Sequence, residues 1–143
     1  MDTKLKGDIA EQSVILFALR KGWGVSKPIG DRLPYDLILD INDKLVKIQV
    51  KSAWFDVSKQ NYVVDNRRTK TNRRQMVRSS YGINDFNFAV VHILDLEVFY
   101  VFPCEVFINY GSEIHLVETD KRQRKPNSRV YRDAWELIEQ WAA

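Results

Sequence analysis

The sequence has 143 residues, of which 45% are hydrophobic and 29% are charged, and its formal net charge is +3. This composition is ordinary for one globular domain and excludes a chain that is disordered throughout. The longest apolar run has six residues, which excludes a transmembrane helix, and the single cysteine excludes an intrachain disulfide and a thiolate zinc cluster. The amino terminus is charged where a signal peptide needs an apolar block, so we expect a cytoplasmic protein without a membrane partner.

The hydrophobic pattern predicts a first helix over residues 4–21, whose second half is apolar enough to pack against a sheet. Runs rich in β-branched and aromatic residues then predict strands over 35–41, 44–52, near 55–64, 86–94, 97–103 and 113–118. Two further helices are expected, a short one from residue 103 to 108 and a closing one over 131–142. The order of these elements predicts a single α/β domain, residues 1–143, built around a mixed sheet.

The positive charge is concentrated in two blocks. Residues 66–80 and residues 121–132 each contain six Lys and Arg, whereas segment 81–118 contains none and carries six acids. Two basic blocks that flank a neutral to acidic core are typical of a protein that binds a polyanion, and they also fit two solvated loops. The charge pattern therefore favours nucleic acid as the partner.

The predicted strands 35–41 and 44–52 form a hairpin around the turn Asn42-Asp43. A two-residue turn pairs positions whose numbers sum to 85, which places Asp36 opposite Gln49. Side chains alternate along a strand, so one face of the hairpin is aliphatic. On the other face, Asp36, Gln49 and Lys51 are close enough to contact the same small ligand. The same pattern also fits a half-exposed hairpin with cross-strand Asp–Lys pairs, and the hairpin alone favours that plainer interpretation.

These residue types suit phosphodiester hydrolysis. Mg²⁺ prefers oxygen ligands, and Asp36, the Gln49 amide and the Val50 backbone carbonyl can each supply an oxygen. Water bound to such a metal is more acidic than bulk water, and Lys51 can orient that water or neutralise charge on the phosphate.

Three motifs succeed one another in the first third of the chain: Gly7-Asp8-Ile9-Ala10-Glu11, Tyr35-Asp36 and Gln49-Val50-Lys51. A helix glutamate, a strand aspartate and a polar residue two places before a lysine resemble the site order of the PD-(D/E)XK nuclease superfamily. The length and the basic insertion are most similar to its small homing endonucleases encoded in group I introns. The resemblance implies a restriction-endonuclease-like core of αβββαβ order, with a central mixed sheet flanked by helices.

The resemblance also implies roles for the matching residues. Glu11 would help to hold the metal, Asp36 would be its central ligand, Gln49 would take the place of the second acid, and Lys51 would be the catalytic lysine. The cofactor would be Mg²⁺, with Mn²⁺ able to substitute. Two positions depart from the pattern: Tyr35 stands where the family has proline, and the neutral Gln49 replaces Asp or Glu, which leaves open whether one or two metals bind.

In such a nuclease the basic insertion near 64–80 would contact double-stranded DNA. Arginine pairs with guanine, and Asn or Gln with adenine, while other contacts reach only phosphates. The candidate DNA-binding residues are Arg67, Arg68, Lys70, Arg73, Arg74, Gln75 and Arg78, with Arg122 and Arg124 from the second block. One hydrolytic site cannot cut two strands, so we expect a homo-oligomer, at least a dimer, and a tetramer if the recognised site is long.

The sequence thus predicts a Mg²⁺-dependent, site-specific endonuclease for double-stranded DNA, an intron-encoded homing enzyme. Two other interpretations stay open. A Holliday-junction-resolving or restriction-type nuclease would have the same site, and a non-catalytic DNA-binding module would bind DNA without metal and would tolerate loss of Lys51.

Overall fold

The computed structural model describes residues 1–71, 76–119 and 127–143. The helices of these residues are α1 (Thr3–Arg20), α2 (Cys104–Asn109) and α3 (Glu136–Trp141), with a 3₁₀ turn at Asn127–Tyr131. The strands are β1 (Gly24–Ser26), β2 (Leu37–Ile41), β3 (Lys44–Ser52), β4 (Trp54–Asp56), β5 (Asn61–Asp65), β6 (Arg67–Thr71), β7 (Met76–Ser80), β8 (Phe88–Ile93), β9 (Val98–Pro103) and β10 (Glu113–Leu116).

Helix α1 begins at the Asp2 cap, whose side chain accepts a hydrogen bond from the Lys4 backbone N–H. It packs on the sheet through Ala10, Val14 and Ala18, which are fully buried. These side chains are small, so the helix axis can lie close to the strands. The predicted packing of α1 on a sheet is therefore confirmed, although other apolar residues of the helix remain exposed to solvent.

A five-stranded sheet of order β1-β2-β3-β8-β9 forms the centre of the fold. Strands β3 and β8 pair in parallel and the other neighbours are antiparallel, so the sheet is mixed, as predicted. One core cluster fills the face covered by α1 and α3, and a second fills the face covered by α2 and by the small sheet β10-β5-β4. The crossover from β3 to β8 passes through strands β4 to β7, whereas the αβββαβ order places a helix there.

Several predicted boundaries differ from the structure. The predicted strand near 55–64 is two strands, β4 and β5, separated by a turn in which Gln60 has a φ of 53°. The predicted closing helix 131–142 is shortened to Glu136–Trp141, because Asp133 adopts a φ of 49° and exchanges hydrogen bonds with Phe99 of β9. The edge strand β1 is not among the predicted elements, since three residues are too few to show a periodicity.

The first basic block forms an antiparallel pair, β6 with β7, in which Arg67 is opposite Ser80 and Thr71 is opposite Met76. The backbone of Lys70 lies on β6 and that of Arg78 on β7; their side chains are outside the described part of the structure. The candidate DNA-binding residues Arg73, Arg74, Gln75, Arg122 and Arg124 lie outside the described residues. Among the helices that the structure describes, none combines the length and apolar character needed to cross a membrane.

Candidate active site

The β2–β3 hairpin has the register that its turn predicts. Leu37 pairs with Ile48, and Ile41 pairs with Lys44, so the numbers of opposed residues sum to 85. Asn42 and Asp43 have φ values of 51° and 65°, which is the conformation of a type I′ turn. The register confirms that Asp36 and Gln49 come together at the open end of the hairpin.

Asp36 lies immediately before β2, and its backbone N–H donates to the Ile48 carbonyl at 2.8 Å. Its carboxylate oxygen Oδ2 accepts two hydrogen bonds, from the Val50 backbone N–H at 2.8 Å and from Gln49 Nε2 at 2.9 Å. The carboxylate is therefore held against the β3 strand by one backbone donor and one side-chain donor.

Burial raises the pKa of Asp36 to about 6, because the charged carboxylate loses most of its contact with water. The Val50 N–H opposes this increase, the negative charge of Glu11 adds to it, and the nearby positive charges of Lys51 and Lys27 lower the pKa. Three charged side chains, Glu11, Lys51 and Lys27, thus act on the Asp36 carboxyl.

Gln49 is only 8% exposed, and its amide nitrogen donates to two oxygens at once. Besides Asp36 Oδ2, Nε2 contacts the backbone carbonyl of Val50 at 3.2 Å. The amide NH₂ group therefore lies between two of the oxygens that are predicted to hold a metal. For Gln49 to present its own oxygen to a cation, this amide must rotate.

Lys51 is two residues further along β3 and lies on the same face of the strand as Gln49. Its Nζ donates to the Arg67 carbonyl at 2.9 Å and lies 5.2 Å from the centre of the Tyr81 ring. The lysine is half-buried, and these contacts hold its ammonium group between the sheet and the start of the β6–β7 pair.

Glu11 reaches the site from α1 and forms an ion pair with Lys27, which follows the edge strand β1. The Glu11 carboxylate raises the pKa of Lys27, through the hydrogen bond first and then through its charge. Lys27 is not among the residues predicted from the sequence. No spacing or motif indicates it, because the contact joins two elements through the tertiary fold.

The donor set fits a hard divalent cation. Asp36, Glu11, the Gln49 amide and the Val50 carbonyl offer oxygen only, which is what Mg²⁺ and similar ions prefer. In the described part of the chain, no group of three or more His, Cys, Asp or Glu side chains could hold a metal. A cation at this site must therefore rely on the two acids together with neutral oxygens.

The two arginines that begin β6 are both engaged. Arg67 forms an ion pair with Asp65, at 3.0 Å from Nε to Oδ1. Arg68 donates from its guanidinium to the Arg32 carbonyl in the loop between β1 and β2. The basic strand pair is thereby attached to the loop that carries Lys27 and leads into Asp36.

Comparison with known proteins assigns a family to this arrangement. A family model described as PD-(D/E)XK endonuclease matches residues 1–138. The structure of a bacterial homing endonuclease, I-Ssp6803I, is similar with a TM-score of 0.91 and 64% sequence identity, covering 99% of this chain and 95% of that chain. A structure of MepB aligns with a TM-score of 0.47 and 13% identity over 91% of each chain, a likeness too low to carry an argument. No curated protein matches the chain.

Proposed function

The chain belongs to the PD-(D/E)XK endonuclease family, and from that premise we propose that it is a Mg²⁺-dependent homing endonuclease that cuts double-stranded DNA at specific sites. Membership makes it a hydrolytic DNA endonuclease, and nucleases of this family generally depend on a divalent metal. The 64% identity to a bacterial homing endonuclease over nearly the whole chain supports the narrower assignment. We infer a cytoplasmic location from the likeness to a bacterial homing endonuclease.

The observation that carries the proposal is the cluster at the end of the hairpin. Asp36, Gln49 and the Val50 carbonyl are joined by hydrogen bonds of 2.9 and 3.2 Å, and Lys51 lies on the same face of β3. We assign Asp36, Glu11, Gln49 and the Val50 carbonyl to the metal, with Mn²⁺ able to replace Mg²⁺. A divalent cation supplies an acidified water and neutralises phosphate charge.

We assign the other catalytic roles to side chains of the protein. Lys51 is held by the Arg67 carbonyl and by the face of the Tyr81 ring. In the proposed reaction its ammonium lies beside the scissile phosphate and offsets the negative charge that develops there. Glu11, assigned to the metal above, is the ligand that α1 supplies.

The test is incubation with supercoiled and linear plasmids that carry diverse inserts, with Mg²⁺, with Mn²⁺ and with EDTA. Metal-dependent discrete fragments support the homing assignment, and cutting of branched DNA regardless of sequence would instead indicate a junction-resolving enzyme. DNA binding without metal and without cutting on any substrate would leave only a binding module.

We further propose a homo-oligomer, because each chain brings one such site and two DNA strands must be cut. A dimer meets this requirement, and a tetramer would reach a longer site. Analytical ultracentrifugation of the same preparation measures the number of copies, and a monomer on DNA that still cuts both strands at once would contradict this part of the proposal.

We expect Gln49→Glu to tighten the binding of Mg²⁺ by about tenfold, since affinity rises with the number of charged ligands. The new carboxylate adds negative charge beside Asp36, so the measurement belongs at pH 8, above the pKa of about 6 of that group. Calorimetric titration with Mg²⁺ measures the affinity, and Gln12→Glu on the exposed face of α1 is the control. An unchanged affinity in Gln49→Glu would contradict the assignment of this side chain to the metal.

The assignment of the β6–β7 pair to DNA is tested with Arg68. We expect Arg68→Ala to weaken DNA binding and to reduce the slope of log K against log salt by about 0.9 for each phosphate that the side chain neutralises. Fluorescence anisotropy with a labelled duplex at several salt concentrations measures both. Arg20→Ala at the end of α1 is the control, and an Arg68→Ala slope equal to that of the control would exclude Arg68 from the DNA interface.

A further inference from the structure

Lys27 has no role in the function proposed above, although it touches that site. Its ammonium is paired with the Glu11 carboxylate, and the two side chains differ in exposure: 52% for Lys27 and 22% for Glu11. The carboxylate is sheltered between α1 and the sheet edge, whereas the lysine is open to solvent. The lysine is the more exposed partner, so it is the one that can leave the ion pair with the smaller change in packing.

Three of the groups assigned to the metal accept from protein donors in this structure: Asp36 Oδ2, the Val50 carbonyl and the Glu11 carboxylate. The Gln49 amide NH₂ donates to Asp36 and to the Val50 carbonyl, and Lys27 is paired with Glu11. Lys27 and Lys51 both act on Asp36, and they also lie near further acids, Asp8 for Lys27 and Asp65 for Lys51. A cation that binds Glu11 must therefore compete with the Lys27 ammonium, which is itself a positive charge.

The loop that carries Lys27 also borders the basic strand pair. Arg68 of β6 donates to the backbone carbonyl of Arg32, five residues after Lys27. DNA that lies along β6 therefore passes close to this loop. Lys27 also acts on Asp36, as does Lys51, so a lysine released from Glu11 stays on the side of the site to which we assign the phosphate.

We propose that Lys27 is an internal counter-ion of Glu11 that gives way to the metal and then contacts a DNA phosphate beside the scissile bond. This inference rests on the proposed function, and it adds that metal binding and DNA binding assist one another. Without DNA, Lys27 competes with the metal for Glu11. With DNA, the lysine has a new partner, so the metal binds more tightly.

The test is Lys27→Met, which keeps the length of the side chain and removes its charge. Calorimetric titration of the DNA-free protein with Mn²⁺ is expected to show binding about two- to fivefold tighter than in the wild type, which is the range for a partly exposed ion pair. At saturating metal, cleavage is expected to be about tenfold slower, since a positive charge beside the phosphate is removed. The two effects have opposite directions.

Lys21→Met is the matched control, because Lys21 also pairs with a glutamate, Glu139, at 3.3 Å and has a similar exposure of 45%. It is expected to change neither quantity. Lys27→Arg keeps the pair and is expected to retain the wild-type metal affinity, which shows that the fold accepts substitution here.

If Lys27 only supports Glu11 mechanically, Lys27→Met will bind metal more weakly, and the proposal is overturned. Unchanged metal affinity overturns it as well. In both of these outcomes, metal-dependent cleavage by the wild type would still support the proposed function. A wild type that neither binds metal nor cuts DNA would contradict the proposed function and the inference about Lys27 together.

Discussion

Replacing Asp36 with asparagine is expected to abolish DNA cleavage and, at the same time, to raise the free energy of unfolding of the metal-free protein. The loss of activity follows because Asp36 is the central carboxylate assigned to the metal, and we expect a decrease of about a thousandfold or more. The gain in stability follows because the carboxylate is charged and largely buried. Burial raises its pKa from 3.8 to about 6.

The sign of the pH dependence follows from this shift. Between about pH 4 and pH 6 the folded protein holds a proton on Asp36 that the unfolded chain has released, so the stability from this group is lost as the pH rises through that window. Asparagine has no such loss. The increase in the free energy of unfolding caused by Asp36→Asn is therefore expected to be absent below pH 4 and to reach about 2 to 3 kcal/mol at pH 8.

Urea unfolding in EDTA at pH 4 and at pH 8 measures this difference. The control is Asp40→Asn, because Asp40 lies on β2, the strand that Asp36 immediately precedes, and is exposed. It is expected to leave both cleavage and the pH dependence of stability unchanged. If Asp36→Asn differs from the wild type in stability by the same amount at both pH values, the Asp36 carboxylate is not the cause of the difference.

Replacing Lys51 with methionine is expected to reduce cleavage by about a hundred- to thousandfold while DNA binding stays near the wild-type level. The reason is that one ammonium group beside the phosphate matters most when charge develops during the reaction, and one phosphate contact among several matters little for binding. Single-turnover cleavage and anisotropy with the same duplex separate the two effects.

Lys47 provides a closely matched control for Lys51. It lies on the same face of β3, its Nζ donates to the Asn84 carbonyl at 2.8 Å, and it lies 5.5 Å from the centre of the Tyr35 ring. Lys47→Met therefore removes the same kinds of contact at a position on β3 two residues before Gln49. Equal losses of cleavage in the two variants would assign the effect to strand stability instead of catalysis.

The hairpin shows what local sequence predicts well. Asn42 and Asp43 tolerate positive φ, and their two-residue turn determines which residues of β2 and β3 are opposite. The alternation of aliphatic and polar residues then decides which face is buried. The positions of Asp36, Gln49 and Lys51 relative to one another follow from these two features, so the sequence was sufficient to find them.

The ends of elements were less predictable, for a different reason. The closing helix starts at Glu136 and not at residue 131, because Asp133 bonds to Phe99, which is 34 residues away in the sequence. The crossover from β3 to β8 contains strands β4 to β7, of which β5 pairs with β10 from a distant part of the chain. Partners so far apart leave no periodic signal near the residues that they affect.

The sequence by itself determined the hairpin, its register and the order of the site residues, because short-range backbone geometry and side-chain alternation are properties of neighbouring residues. Only the tertiary structure decided how those residues are charged and paired. The burial that raises the pKa of Asp36 and the ion pair of Lys27 with Glu11 depend on how α1, β1 and the hairpin meet. Desolvation and charge pairing are set by distance in space, and the distance along the chain does not reveal them.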